Sequence, residues 1–486
     1  MNFNSFIFLL VFLPVTLLIY WMLRSKGCYE KSLYFLTLAS IVFYGTAFFK
    51  GLSVFILSLL INYVLAINII KRNKARLLCA LGIVFDVLLL SIFKYGPLFI
   101  GGIGTYIIAP GISFYTFLEI ALLVECYRGT VSKLSLCEYG FLTTFFPKLL
   151  EGPIVRPNEL LGQGFGKKNL SIEDIYRAIL LFSFGLFKKV IIADTLGGAV
   201  DYGFNNPDAI HTLEGLVVML SYTLQLYFDF SGYTDMAIAI AALFGFELPI
   251  NFNSPYKAKN IDDFWKRWHI TLTRFFTQYI YIPLGGNRKG DFRKYLNYFI
   301  IFFISGLWHG AGWQFIIWGL MHGILFIITR LIKNNAHKKA LDNEDGAKKT
   351  FGKIGEAIKI FLTFLYVNIA WVFFRAPSVK AAMRLFKSMG ELWFPRFNTG
   401  LAKCFNLDEL WYVLKVFHLD RFNNSIYILM VLILILLLIL VFGAKNAYVY
   451  SKECKINAFT TVIIIILLAW SLLSFEGVAT YIYVNF

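Results

Sequence analysis

Long apolar stretches almost free of charge constrain this chain more than any other feature. The stretch Ile426–Phe442 contains no charged residue at all, and comparable windows recur along most of the sequence. A hydrocarbon core about 30 Å thick is crossed by ~20 apolar helical residues, so each window is a candidate transmembrane helix. The windows are Phe3–Leu23, Ser32–Phe49, Leu52–Ile70, Leu77–Phe93, Ala178–Ala193, Gly215–Leu226, Tyr298–Trp308, Trp313–Ile328, Ile360–Phe374, Ile426–Phe442 and Phe459–Phe475. They predict an all-α, polytopic integral membrane protein with about 10–12 transmembrane helices.

Composition excludes the main soluble classes. Hydrophobic residues make up 58% of the chain and charged residues 15%, whereas soluble domains have about 45–50% and about 25%. This balance argues against a cytosolic enzyme, a disordered chain and a nucleic-acid-binding module. The net charge of +17 has another explanation, because membrane proteins collect Lys and Arg in their cytoplasmic loops.

The basic clusters predict the topology. Arg24, Lys26 and Lys31 follow the first window, and Lys71, Arg72, Lys74 and Arg76 follow the third. If both clusters are cytoplasmic, the N-terminus lies outside. We expect one membrane domain over residues 1–486, with residues 330–359 as a cytoplasmic loop inside it. This loop is a solvated connector or an amphipathic surface helix in preference to a specific binding element.

Motifs for other chemistries are absent from the sequence. The six cysteines have no CxxC or zinc-type spacing, which predicts neither a disulfide framework nor a cysteine-based metal site. There is no GxxxxGK[ST] phosphate loop and no HExxH zinc motif. We therefore expect no metal and no permanently bound cofactor.

Three stretches place polar side chains inside apolar surroundings: residues 225–235, 251–287 and 305–323. Such residues are costly at bilayer depth and often line a cavity or face a partner. His269, His309 and His322 fall in the last two stretches. Histidine transfers protons near neutral pH, so each is a candidate general base, although a hydrogen-bonded packing role is the simpler interpretation of any one of them.

The spacing of His309 and His322 limits their cooperation. Thirteen positions on one uninterrupted helix separate two side chains by ~140°, so only one of them would face a given reacting group. The stretch is rich in glycine, which either breaks the helix or allows close helix packing. The adjacent Asp262 and Asp263 form either an acid/base pair or, preferably, a helix N-cap.

Ordered motifs over most of the chain carry a family resemblance. They are PGISFYTFLEIALLVECYRG (Pro110–Gly129), FFPKLLEGPIVRP (Phe145–Pro157), GLFKKVIIADTL (Gly185–Leu196), YFDFSGYTDMAIA (Tyr227–Ala239), NFNSPY (Asn251–Tyr256), DFWKRWHITL (Asp263–Leu272), YIPLGGNRKG (Tyr281–Gly290), GLWHGAGWQFIIWGLMHG (Gly306–Gly323) and WVFFRA (Trp371–Ala376). With them the chain resembles the membrane-bound O-acyltransferase family, in the branch of the alginate O-acetylation membrane protein. The resemblance implies a ring of helices around a tunnel and acyl transfer to a hydroxyl.

The resemblance also implies site residues. It ranks His309 first, His269 second and His322 third as catalytic residues. We expect Trp265, Lys266, Arg267 and Arg288 to bind the acyl donor, with Lys257 and Lys259 as further phosphate contacts. Positive-inside placement explains the basic residues among them equally well.

The substrates and partners implied are acetyl-CoA in the cytoplasm, an extracytoplasmic polysaccharide, and an exported or membrane-anchored acetyltransferase. The expected location is the bacterial cytoplasmic membrane, in contact with lipid and without nucleic acid. Two alternatives stay open: D-alanyl transfer to teichoic acid from a carrier-protein thioester, and a transporter without chemistry.

Overall fold

The computed structural model describes residues 1–72, 75–99, 110–167, 169–342, 352–405, 407, 412, 415–418, 424–475 and 481–482. Within these ranges all regular secondary structure is helical, which confirms the predicted all-α class. The α-helices are α1 (Leu13–Ser25), α2 (Tyr29–Ala47), α3 (Phe49–Lys71), α4 (Arg76–Phe99), α5 (Ile112–Arg128), α6 (Leu136–Thr144), α7 (Phe146–Leu149), α8 (Pro157–Leu161), α9 (Ile172–Phe187), α10 (Asp194–Asn205), α11 (Thr212–Leu243), α12 (Ile261–Trp265), α13 (Ile270–Phe276), α14 (Gly290–His309), α15 (Trp313–Asp342), α16 (Lys353–Arg375), α17 (Val379–Gly390), α18 (Thr399–Lys403), α19 (Ser425–Gly443), α20 (Ala447–Glu453) and α21 (Ala458–Leu473). Short π-helical turns occupy Phe8–Phe12, Lys188–Ala193 and Thr277–Tyr281.

Several helices are suited to cross a membrane. In the described part of the chain, six are long and apolar enough by length and composition: Phe8–Ser25, Phe49–Lys71, Arg76–Gly96, Trp313–Asn335, Lys353–Arg375 and Ser425–Gly443. The other predicted windows also fall largely on helices, namely α2, α9, α11, α14 and α21. The multi-pass prediction is confirmed, and the number of ten to twelve spans stays a prediction.

The chain divides into two compact units. Unit 1 comprises residues 1–190, 230–251 and 447–486, and unit 2 comprises residues 191–229 and 252–446. Helix α11 contributes its first part to unit 2 and its second part to unit 1. The single membrane domain expected over 1–486 stays a prediction.

Unit 1 is held together by hydrogen bonds between distant segments and by close helix packing. The Tyr20 hydroxyl donates to the carbonyl of Phe244 at 2.9 Å, and the buried Arg24 guanidinium donates to the carbonyl of Lys167 at 2.7 Å. A Cβ atom added at Gly185 would lie 2.7 Å from the carbonyl oxygen of Gly232, so glycine permits the backbones of α9 and α11 to meet.

The hairpin of α14 and α15 positions the histidine region of unit 2. A Cβ atom at Gly306 would lie 2.6 Å from the carbonyl oxygen of Phe315, and one at Gly319 would lie 2.5 Å from that of Phe302. These glycines therefore serve close packing between the two helices. The chain turns between Gly310 and Gly312, since α14 ends at His309 and α15 begins at Trp313.

Residues 330–359, expected as a connector between spans, are helical at both ends. Helix α15 continues to Asp342 and α16 begins at Lys353, so both ends of this range are helical. The Lys- and Ala-containing sequence after the apolar window has good helix propensity, which lets α15 run beyond it. Residues 343–351 lie outside the described residues, and the cytoplasmic location stays a prediction.

Candidate active site

His309 lies at the C-terminal end of α14 and is buried in aromatic rings of unit 2. Its ring centroid is 4.5 Å from that of Trp308, 4.9 Å from that of Trp318 and 4.9 Å from that of Phe374. The last two contacts come from α15 and α16. Three helices thus fix the position of the imidazole.

His322 lies on α15 and is fully buried. Its ring centroid is 5.0 Å from that of Trp318 and 5.1 Å from that of Trp265. Neither imidazole nitrogen of His322, nor the indole nitrogen of Trp265 or Trp318, has a hydrogen-bond partner within the described ranges. A buried unpaired polar group costs about 1–3 kcal/mol. Several such atoms around one imidazole mark a place suited to a polar group of a substrate.

His269 is buried and holds an unusual backbone conformation at the N-cap of α13. Its φ of 44° and ψ of 52° lie in the left-handed region, which costs a non-glycine residue on the order of 1–3 kcal/mol. Its ring centroid is 6.4 Å from that of Trp308. The surrounding structure therefore holds His269 itself in a strained backbone conformation.

The three predicted histidines meet in one aromatic cluster. Trp318 contacts both His309 and His322, and Trp308 contacts both His309 and His269. The limit expected from the spacing of His309 and His322 holds only for one uninterrupted helix, and the alternative that the glycine-rich stretch breaks the helix is the one observed. The turn at Gly310–Gly312 ends α14, so the two histidines lie on different helices of a hairpin instead of on one helix.

A cavity of about 280 Å³ adjoins this cluster within unit 2. Most of its lining surface is apolar, although three charged and five hydroxyl-bearing residues contribute to it: Asp262, Trp265, Lys266, Leu272, Thr273, Phe276, Thr277, Tyr281, Tyr298, Ile301, Phe302, Ser305, Phe326 and Arg330. Trp265 lines this cavity and also contacts His322. The indole is therefore part of the wall between the cavity and that imidazole.

Asp262 pairs with cations in and beside the cavity lining. Its carboxylate is 3% exposed and lies 2.6 Å from Arg330, 2.7 Å from Lys333 and 3.3 Å from Lys266. Burial by itself raises the pKa of this carboxyl, but hydrogen bonding from Lys333 and the nearby cations outweigh burial and hold the pKa below its usual range. One carboxylate faces three cations, so the region favours an anionic group.

The predicted donor-binding residues separate into two sets. Trp265 and Lys266 line the cavity. Arg267 pairs with Asp263 at 2.8 Å and is absent from the lining, and Arg288 is exposed in the turn before α14. Lys257 donates to the carbonyl of Ala444, and Lys259 pairs with Glu356.

The expected role of Asp262 and Asp263 as helix caps is wrong in detail. Asn260 is the N-cap of α12, and its side chain accepts a hydrogen bond from the backbone N–H of Asp263 at 3.0 Å. The two carboxylates follow in the first turn, where negative charge suits the helix dipole. They bind different cations, Asp262 that of Arg330 and Asp263 that of Arg267, and this arrangement does not support an acid/base pair.

Sequence reasoning missed Trp318, Phe374, Arg330 and Lys333. The two aromatic residues occur in the motifs GWQFIIWG and WVFFRA, yet nothing in their spacing showed that they contact a histidine. Arg330 and Lys333 lie within residues 330–359, which we expected to form a loop. No group of three or more His, Cys, Asp or Glu side chains suited to a metal occurs in the described part of the chain.

A multi-pass helical protein with a buried histidine cluster beside an apolar cavity is an integral membrane protein with an internal polar site. The profile of the membrane-bound O-acyltransferase family matches residues 6–373, so the chain belongs to this family and is an O-acyltransferase. The resemblance inferred from the motifs is confirmed.

Relatives give finer comparisons. The chain is 39% identical over 431 residues to a peptidoglycan O-acetyltransferase of Helicobacter pylori, covering 80% of this chain and 79% of the relative. It is 36% identical over 416 residues to a probable alginate O-acetylase AlgI of Pseudomonas aeruginosa, covering 80% and 75%. A teichoic acid D-alanyltransferase of Streptococcus thermophilus is 28% identical over 306 residues, covering 59% and 70%.

Proposed function

We propose that the protein is a polysaccharide O-acetyltransferase of the bacterial cytoplasmic membrane. It moves acetyl groups from cytoplasmic acetyl-CoA to hydroxyls of an extracytoplasmic polysaccharide, directly or through a partner transferase. The family and the two more similar relatives reported above, named for O-acetylation, support this reaction. The carrying structural observation is the fully buried His322, whose imidazole nitrogens have no hydrogen-bond partner among the described residues and whose ring contacts Trp265 of the cavity lining.

The reaction needs a base inside the protein. The acceptor oxygen attacks the thioester carbonyl, the C–S bond breaks, and the hydroxyl proton passes through a histidine to the departing thiolate. A positioned general base contributes typically about 10²–10⁴-fold to such a step. His309 is the first candidate base, and His269 would orient the donor or stabilise the developing oxyanion. The imidazole nitrogens of His322, which have no hydrogen-bond partner among the described residues, keep it as a further base candidate.

The cavity supports a donor site. Its apolar walls suit the acyl group and the thioester arm, while the excess of cations around Asp262 suits phosphates. Ligand pockets for drug-sized molecules typically measure ~300–1,000 Å³, so a cavity of about 280 Å³ fits only part of coenzyme A. We propose that Trp265 and Lys266 contact the arm inside the cavity and that Arg267 and Arg288 act on the phosphates outside it.

The identity of the acyl donor distinguishes this proposal from the main alternative, D-alanyl transfer. Purified protein in lipid nanodiscs is given either labelled acetyl-CoA or a carrier protein charged with D-alanine, together with an oligosaccharide acceptor. We expect an acetylated product from acetyl-CoA alone. Product only from the charged carrier would support D-alanyl transfer, for which the relative is more distant. Movement of substrate across a proteoliposome membrane without any acyl product would support a transporter.

The acceptor needs a separate experiment. Peptidoglycan and alginate are the polymers in the names of the similar relatives. Mass spectrometry of surface glycans, with and without the gene, should reveal one polymer that loses O-acetyl groups. Co-purification from native membranes tests the partner, since an exported or membrane-anchored transferase should accompany the protein if transfer is indirect.

A further inference from the structure

Unit 1 contains two buried carboxyl groups that the proposed reaction does not use. Asp86 lies on α4, within a helix suited to cross a membrane, and Glu119 lies on α5. Both side chains are fully buried. Carboxyl groups in such surroundings are expensive and frequently mark paths or sites for ions and protons.

One face of α3 connects the two carboxyl groups. Asn62 donates from its amide nitrogen to Asp86 at 2.8 Å, and the Ser58 hydroxyl donates to Glu119 at 2.7 Å. Ser58 and Asn62 are four residues apart, so they lie on the same face of the helix. Three helices thereby contribute to one buried polar network.

The network has acceptors without donors. The second carboxyl oxygen of Asp86, the second of Glu119 and the amide oxygen of Asn62 have no hydrogen-bond partner within the described ranges. All three are oxygen atoms with lone pairs. Two neighbouring carboxylates in a region of low dielectric constant do not both stay ionised unless a positive charge joins them.

A neighbouring hydroxyl points to a ligand independently of the carboxyl groups. Tyr115 lies on α5 four residues before Glu119, on the same helix face. The side chain is 1% exposed, and its hydroxyl also has no hydrogen-bond partner in the described part of the chain. A phenol either donates to an anionic oxygen or accepts from a cation, so it can complete an oxygen ligand set.

We propose that Asp86, Asn62 and Glu119, with Tyr115, form an internal binding site for one monovalent cation, either a proton or Na⁺. The site would hold a positive charge against the two carboxyl groups and satisfy the unpaired oxygen atoms. It lies in unit 1 and so is composed of different residues from the histidine cluster of unit 2.

Other titratable groups surround this site. Lys148 on α7 is buried, and burial lowers the pKa of its ammonium group to about 7, with the nearby Glu119 acting in the opposite direction. Tyr139 on α6 donates to the carbonyl of Leu59 at 2.6 Å, and the Tyr44 hydroxyl on α2 is buried. Lys148 is therefore a nearby basic group whose positive charge can offset the charge of Glu119.

Two measurements on the wild-type protein in lipid nanodiscs test the proposal. Infrared spectroscopy detects a protonated carboxyl group at neutral pH, and equilibrium dialysis with radioactive sodium measures bound Na⁺. We expect either a carboxyl proton or a single bound Na⁺ per chain. Binding of Na⁺ would raise the free energy of unfolding by about 1.4 kcal/mol per tenfold increase in Na⁺ above the dissociation constant. The absence of both signals at neutral pH would overturn the proposal.

Substitutions of Asp86 and Glu119 show whether these residues produce the carboxyl band or bind the sodium. Asp86→Asn and Glu119→Gln should each abolish the infrared band or the sodium binding. The matched control is Glu125→Gln, because Glu125 is a buried carboxyl on the same helix whose oxygen accepts from Asn158 at 3.0 Å. The control should retain the signal. If a variant does not fold, Tyr115→Phe serves instead, and an unchanged signal in every folded variant would contradict the assignment.

Discussion

The indole of Trp265 meets the imidazole of His322 edge-on, with ring centroids 5.1 Å apart and ring planes at 84°. The same indole lines the cavity of about 280 Å³. The side chain of Trp265 therefore forms part of the boundary between this cavity and His322. This relationship connects the proposed donor site to a proposed catalytic residue and leads to the first prediction.

Replacing Trp265 should separate its roles as a wall and as a hydrogen-bond donor. Trp265→Ala removes the wall and, by leaving a void, costs about 3–5 kcal/mol of stability, so acyl transfer should fall steeply. Trp265→Phe keeps an aromatic wall and should retain folding while raising KM for the donor. Thermal unfolding and steady-state kinetics measure the two effects. Trp313→Phe, at a residue 73% exposed, is the control. Equal kinetics for Trp265→Phe and wild type would argue against a donor contact.

Neutralising Asp262 should release three cations from their shared partner. We expect Asp262→Asn to lower the free energy of unfolding at neutral pH by about 1.5–3 kcal/mol, because charge-assisted hydrogen bonds are lost. Asp263→Asn removes one ion pair with Arg267 and should have a smaller effect. Denaturation at neutral pH compares the two variants, and an equal loss in both would contradict the central position of Asp262.

The same carboxylate predicts a pH dependence. Its pKa in the folded protein is below the ordinary value of about 3.9, so its stabilising effect is fully present above that value. The effect is lost as the pH falls through the folded pKa, that is, below about pH 4. Unfolding of wild type and Asp262→Asn over this range should show their stabilities converging toward acid pH. A constant difference would exclude the predicted linkage.

Close packing of the α14–α15 hairpin predicts intolerance of small additions. Gly306→Ala and Gly319→Ala would each place a Cβ atom within 2.6 Å of a backbone oxygen. Overpacking of this kind typically costs about 1–3 kcal/mol, and it should also displace His309 and reduce acyl transfer. Gly443→Ala, where no atom lies within 4 Å of the added Cβ, is the matched control. Wild-type stability in the hairpin variants would show that the helices separate easily.

The helical architecture was predictable because composition and window length control it. The apolar windows around Leu52–Ile70 and Ile426–Phe442 coincide closely with α3 and α19, since uncharged stretches of this length have few alternatives to a helix in lipid. The end of α15 was not predictable from hydropathy, because polar residues with good helix propensity extend it into the range expected as loop.

The sequence singled out the three histidines of the candidate site, but it did not reveal their arrangement. Motifs indicated His269, His309 and His322, yet their meeting depends on the turn after His309 and on Trp308 and Trp318. The charge cluster joins Asp262 to cations 68 and 71 residues away, and such pairing over sequence distance leaves no local signal. The contacts among these residues depend on tertiary packing, which the spacing of residues in the sequence does not reveal.

The most direct test of the central claim is the rate of acetyl transfer from acetyl-CoA by reconstituted His309→Ala, His269→Ala and His322→Ala. His211→Ala is the control, since His211 also contacts a tryptophan, Trp393 at 4.3 Å, but outside the cluster. Each protein is first shown to be inserted and folded. We predict that at least one cluster variant loses about 10²–10⁴-fold in rate while the control keeps the wild-type rate. Wild-type rates in all three cluster variants would contradict acyl transfer at this site.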